Sequence, residues 1–178
     1  MPAPRLTLTL IPSSATQNAR TRLSAEQWSE VRHLCYSRAG HRCEACGTPY
    51  PSGSATGTGG WEAHEAWLFE GGVQKLVAVR NLCQRCHAVC HSGRSFRLGG
   101  SQLAEPIVQQ LMTVNGWERE ATVAYIQNEF AVARARSRQL WRLDLSLLRE
   151  FGIEPTQART SSPLPSGRSW WQRFLGMA

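Results

Sequence analysis

Apolar and polar residues alternate in Leu6-Thr-Leu-Thr-Leu10-Ile11, and a period of two predicts a strand. The polar Ser13–Thr21 stretch reads as a loop. Ser24, followed three residues later by Gln27, makes a capping box, and Leu23 and Trp28 are placed to form a hydrophobic staple across it. A helix is therefore predicted from Ser24 to Gly40, with Gly40 supplying the left-handed stop and Trp28, Val31, Leu34 and Cys35 forming the apolar face. Pro49–Gly60 is rich in Gly and Pro and is expected to be a loop. Trp61–Phe69 and Gln74–Leu82 read as two extended segments joined by a turn at Gly71-Gly72.

After Cys83, the run Cys86-His-Ala-Val-Cys90-His91 has the spacing of a short helix ending at Gly93, with two histidines four apart on one face. Ile107, Val108, Leu111 and Met112 mark another helix, closed by Asn115-Gly116, with Pro106 interrupting its start. A longer helix is predicted from Glu118 to about Ser137. Trp141–Leu147 alternates again and is expected to pair with Leu6–Ile11, tying the ends of the fold together. From Pro155 onward Thr, Ser, Pro and Gly dominate, and too little apolar surface is on offer to offset ordering. The closing Trp170-Trp-Gln-Arg-Phe-Leu175 reads either as a docking motif for a protein partner or as an unstructured end. The predicted organisation is an N-terminal strand and loop (1–22), a central unit with its leading helix (23–99), a helical extension (100–154) and a tail (155–178), in the α+β class.

At 178 residues and 42% hydrophobic content, the chain has material for one core with modest extensions. No apolar run approaches the roughly 20 residues needed to span a bilayer, and the first residues lack the charged flank and apolar centre of a secretory signal. The expectation is a cytoplasmic protein without a membrane partner. The net charge is +7, and nineteen of the twenty basic residues are Arg, whose planar fork matches phosphate. That balance favours a polyanionic partner such as nucleic acid.

The cysteines sharpen the picture. Cys43/Cys46 and Cys83/Cys86 are two Cys-x-x-Cys pairs, and in a reducing compartment such pairs read as metal ligands rather than disulfides. Two knuckles supply four thiolates in a tetrahedron about 2.3 Å from Zn²⁺, a closed structural site. Cys35 reads as a core residue, and Cys90 competes with Cys86 as fourth ligand, with Cys86 preferred because it completes a knuckle. The 36 residues between the pairs leave room for an inserted hairpin carrying Glu62-Ala-His64-Glu65. His87 and His91 at helical spacing, with His64 from a facing strand, would form a half-open site for a second divalent ion, leaving positions for water or substrate. His33 and His41 read as solvent-facing or supporting residues.

The order Cys43-Glu-Ala-Cys46, Glu62-Ala-His64-Glu65, Leu82-Cys83-Gln-Arg-Cys86-His87-Ala-Val-Cys90-His91 resembles the HNH endonuclease family, in its members braced by a four-cysteine zinc. The resemblance spans roughly residues 41–93. It implies a ββα-metal, treble-clef-like core and hydrolysis of phosphodiester bonds, with His64, His87 and His91 holding Zn²⁺, Ni²⁺, Mn²⁺ or Mg²⁺. Two family positions differ here: the general-base His falls on Glu65, and the family Asn falls on Ala78, with Asn81 three residues away. Glu65, backed by Glu62 and beside His64, is the expected catalytic group, and Arg42, Arg80, Arg85, Arg94 and Arg97 are the expected nucleic-acid contacts. The alternative is a catalytically inactive zinc module of the same shape that binds nucleic acid or a protein.

Overall fold

The computed structural model describes residues 3–50, 61–93, 96 and 100–154. Helix α1 spans Ala25–Arg38, and its start is the predicted box: Ser24 Oγ accepts from Gln27 N at 3.2 Å and Gln27 Oε1 accepts from Ser24 N at 3.0 Å. Gly40 follows with φ +56°. Strands β1 (Trp61–Glu70) and β2 (Val73–Cys83) form an antiparallel hairpin. Gly71 and Gly72 both have positive φ, which the two-residue turn requires so that its twist matches the strands. Cys83 then becomes the N-cap of α2 (Gln84–Cys90). Helices α3 (Gly100–Asn115) and α4 (Arg119–Arg136) follow, α3 continuing through Pro106. The short β3 (Arg142–Asp144) leads to a 3₁₀ helix, Ser146–Phe151. The result is a mixed α/β fold around a three-stranded sheet in the order β1-β2-β3.

The hairpin separates two packed regions. One joins Leu82 and Trp61 to Cys86 and Val89 of α2, Leu111 of α3, Ile126 of α4 and the N-terminal Leu6 and Leu8. The other sets Leu76 of β2 against Val31 of α1 and Leu143, Leu148 and Phe151 near the C-terminal end. Among the described residues, no helix is long and apolar enough to cross a membrane.

Three expectations change. Leu6–Ile11 is not a strand: its alternation comes from Leu6 and Leu8 being buried, and side chains and the Cys90 carbonyl of α2, rather than a neighbouring strand, bind its backbone. Asn115 Oδ1 accepts from the Arg5 and Leu6 N–H groups, Asn115 Nδ2 donates to Leu6 O, and Tyr125 OH accepts from Leu8 N. Consequently Trp141–Leu147 does not pair with it; β3 runs parallel to β2, aligning Arg142–Asp144 with Val73–Lys75. Leu34 is exposed, while Tyr36 takes the buried place on α1 and donates its hydroxyl to Trp61 O. The expected loop beyond Tyr50, Arg94, Arg97 and the tail with Trp170–Leu175 lie outside the described residues.

Candidate metal centres

The first knuckle turns at Gly47, whose φ is +78° and whose N–H donates to Cys43 O at 2.8 Å. It is fastened to β2 by Asn81, which is fully buried. Asn81 Nδ2 donates to Arg42 O, its Oδ1 accepts from Tyr50 OH, its carbonyl accepts from Glu44 N, and its own N–H donates to the Glu44 carboxylate. The second knuckle arises because β2 ends at Cys83 and α2 begins at once, so Cys86 lies in the first helical turn. The four sulfurs lie within 4.8 Å of one another. A tetrahedron with 2.3 Å metal–sulfur bonds has edges of about 3.8 Å, and Cys46 Sγ and Cys83 Sγ are 3.8 Å apart. The chain thus brings together four cysteines able to hold a metal ion such as zinc.

The electrostatics fit a cation. A hydrogen bond from Cys86 pulls the Cys43 thiol down toward its ionised form, and Cys86 is correspondingly pushed up. Burial raises Cys83 as well. Four close thiols cannot all ionise without a positive charge between them, and a bound metal supplies it. Gln110 Nε2 of α3 donates to Cys86 Sγ at 3.3 Å, a support that motif spacing does not reveal. Cys90 points elsewhere: it is buried, donates to Thr7 O, and is pushed up to about 12 by burial. Cys35 likewise donates to Val79 O and is raised to about 12 by burial.

The second cluster forms because α2 packs over one face of the hairpin. His64 projects from β1 and is 4% exposed, while His87 lies on α2 and His91 at its C-cap. Their ring centroids are 4.4 to 5.5 Å apart, the rings are steeply tilted to one another, and one donor nitrogen from each lies within 4.8 Å of the others. Burial, reinforced by the other two histidines and Arg80, drops the His64 pKa to about 3. Burial lowers His87 and His91 too, with Glu62 pulling back toward the charged form. Neutral imidazoles are the form that binds metals.

Thr9, not anticipated from the sequence, holds the His64 ring. Its Oγ1 is 2.8 Å from His64 Nε2, and its own N–H donates to Cys90 O. Donation of Nε2–H to the Thr9 hydroxyl would leave the Nδ1 lone pair for a metal, and such outer hydrogen bonds are worth about 10–100-fold in metal affinity. Thr9→Val is therefore expected to weaken Co²⁺ uptake at the histidines by about 10–100-fold, followed through the visible spectrum of protein whose cysteine site is already filled, while Thr9→Ser retains it. Equal uptake by Thr9→Val and the unaltered chain would refute this role.

The remaining predicted residues separate. Glu62 and His64 share a face of β1, whereas Glu65, one residue on, projects from the opposite face. The Glu65 carboxylate accepts from Arg20 N at 2.9 Å, and burial, opposed mainly by that bond, raises its pKa. It fastens the N-terminal loop to β1, and neither carboxylate belongs to the histidine cluster. Ala78 pairs with Ala66 in the sheet and offers no amide, while the Asn81 side chain is committed to the cysteine knuckle. Arg80 lies directly across from His64 and donates to Arg5 O; Arg42 donates to Gly47 O; Arg85 is exposed on α2. His33 and His41 are exposed.

A cavity of about 420 Å³ reaches from the three histidines past Glu62 to Glu65, Trp28 and the loop around Asn18. No protein-family model, curated protein or solved structure matches the chain.

Proposed function

We propose that this chain is a metal-dependent phosphodiesterase acting on nucleic acid, an endonuclease of the HNH type with DNA as its expected substrate. The cysteines would hold structural Zn²⁺, and His64, His87 and His91 a second divalent ion. The observation that carries this reading is the convergence of three imidazoles from a β-hairpin and the helix after it, beside a four-thiol knot. A three-imidazole set suits a borderline metal such as Zn²⁺ or Ni²⁺ better than Mg²⁺. An ion held there would stabilise charge on the scissile phosphate and its leaving oxygen.

The chain's own residues supply the rest. Glu62 shares the histidine face and its charge is felt by both His87 and His91, so it replaces Glu65 as the favoured acceptor for the proton of the attacking water. Arg80, across the strand from His64, is the favoured phosphate contact. Glu65 serves as a positioning residue through its bond to Arg20 N.

One rival is favoured by specific observations: the Glu65 carboxylate is occupied and Ala78 lacks an amide, as a non-cleaving nucleic-acid module would allow. Supercoiled plasmid incubated with the full chain and Mg²⁺, Mn²⁺, Ni²⁺ or Zn²⁺ separates them. Nicking with at least one of these ions is expected. Binding that weakens with salt, without nicking under any ion, would select the rival.

A further inference from the structure

The N-terminal segment changes sides of the hairpin. Thr9 meets His64 on one face, and the Arg20 backbone meets Glu65 on the other, so the chain between them passes outside β1, the edge strand. The 420 Å³ cavity is lined by residues of that segment, by His64, His87 and His91, and by Trp28, and its size is within the usual range for a ligand pocket.

Its lining is unusual for empty surface. Gln74 is 2% exposed and donates through Nε2 to Gln17 O at 3.0 Å, while its Oε1 has no hydrogen bond among the described residues. Gln17 and Asn18 use their side-chain oxygens on Arg22 and on Thr21 N, leaving both amino groups without a partner among the described residues. Gln17, Asn18 and Gln74 line the cavity together with Trp28 and Trp67. Arg20 and Arg32 also line it, and neither takes part in an ion pair among the described residues.

We infer that this cleft is a subsite for one unpaired nucleotide, taking its base against Trp28 and the amide groups while the neighbouring phosphate lies at the histidines. The inference rests on the proposed nuclease reading and narrows its substrate to single-stranded or strand-separated nucleic acid. Each element has a matching part in such a nucleotide: an aromatic face for the indole, a free hydrogen-bonding edge for the amides, and phosphate for the arginines. A simple anion would leave the indoles and amides unused. A paired base in a duplex has its edge and both faces already engaged.

The test is equilibrium binding of the full, metal-loaded chain to a fluorescein-labelled, phosphorothioate-linked DNA decamer, alone and annealed to its complement, followed by anisotropy. Tighter binding of the single strand is expected. Trp28→Leu should weaken single-strand binding by about tenfold and leave duplex binding unchanged, the loss of one stacked base. Trp28→Phe should restore it, and Arg20→Ala should also weaken it. Melting curves verify that each variant is folded. Equal binding of both forms, or equal weakening of both by Trp28→Leu, overturns the subsite. Selective binding without cleavage of either a phosphodiester-linked single strand or plasmid would support the subsite and reject the nuclease; cleavage without strand preference in binding would do the reverse.

Discussion

Cys86→Ser is expected to abolish metal uptake at the four-cysteine cluster and, with it, the folded hairpin–helix unit. Cys86 is buried, closes the second knuckle, and receives a hydrogen bond from Gln110 of α3, so the sulfur ties α2 and α3 to the first knuckle. Structural zinc contributes roughly 10–16 kcal/mol of apparent binding energy in small metal-dependent folds, comparable with the roughly 5–15 kcal/mol by which whole domains are stable. Losing one of four ligands should therefore remove the cooperative thermal transition of this unit, as read by circular dichroism, and release about one metal ion per chain. Cys90→Ser provides the contrast. That thiol donates to Thr7 O outside the knot, so its replacement should leave metal content unchanged and lower the melting temperature only modestly. Loss of zinc from Cys90→Ser with retention in Cys86→Ser would reverse the ligand assignment.

On the proposed nuclease reading, His87→Ala should abolish cleavage while sparing the fold. His87 is half-buried on α2, faces the other two histidines, and is remote in role from the cysteine knot. Removing one of the three imidazoles would open the proposed second site. The charge stabilisation lost is worth several kcal/mol, and at about 1.4 kcal/mol per tenfold the rate should fall by roughly a thousandfold or more. The measurement is the nicking rate of matched preparations, with circular dichroism showing the helices retained. Nicking that continues undiminished in His87→Ala would place the activity elsewhere.

The parts of the fold that were legible in the sequence are those specified by neighbouring residues. The Ser24–Gln27 box starts α1, and Gly71-Gly72 sets a turn that only positive φ allows, which locates both hairpin strands to within a few residues. The Cys-x-x-Cys spacing likewise identifies the four sulfurs that meet. What failed depended on distant partners. Alternation in Leu6–Ile11 records which side chains are buried, yet it cannot say that Asn115 and Tyr125, more than 100 residues away, will take the place of a strand in bonding the backbone. The same limit hid the pairing of β3 with β2. In the site, the resemblance put the general-base position at Glu65, next to His64, whereas the pleat of β1 sends the two to opposite faces. Thr9 was visible only as a polar residue between two leucines, and nothing local tied it to an imidazole.

Metal content per folded chain tests the two-centre arrangement most directly. Elemental analysis after extensive dialysis in zinc-containing, then zinc-free buffer should find about two ions in the unaltered chain, about one in His87→Ala, and a corresponding loss with unfolding in Cys86→Ser. A single ion in the unaltered chain that persists in His87→Ala would show that the three imidazoles do not hold a metal, and the proposed chemistry would fall with them.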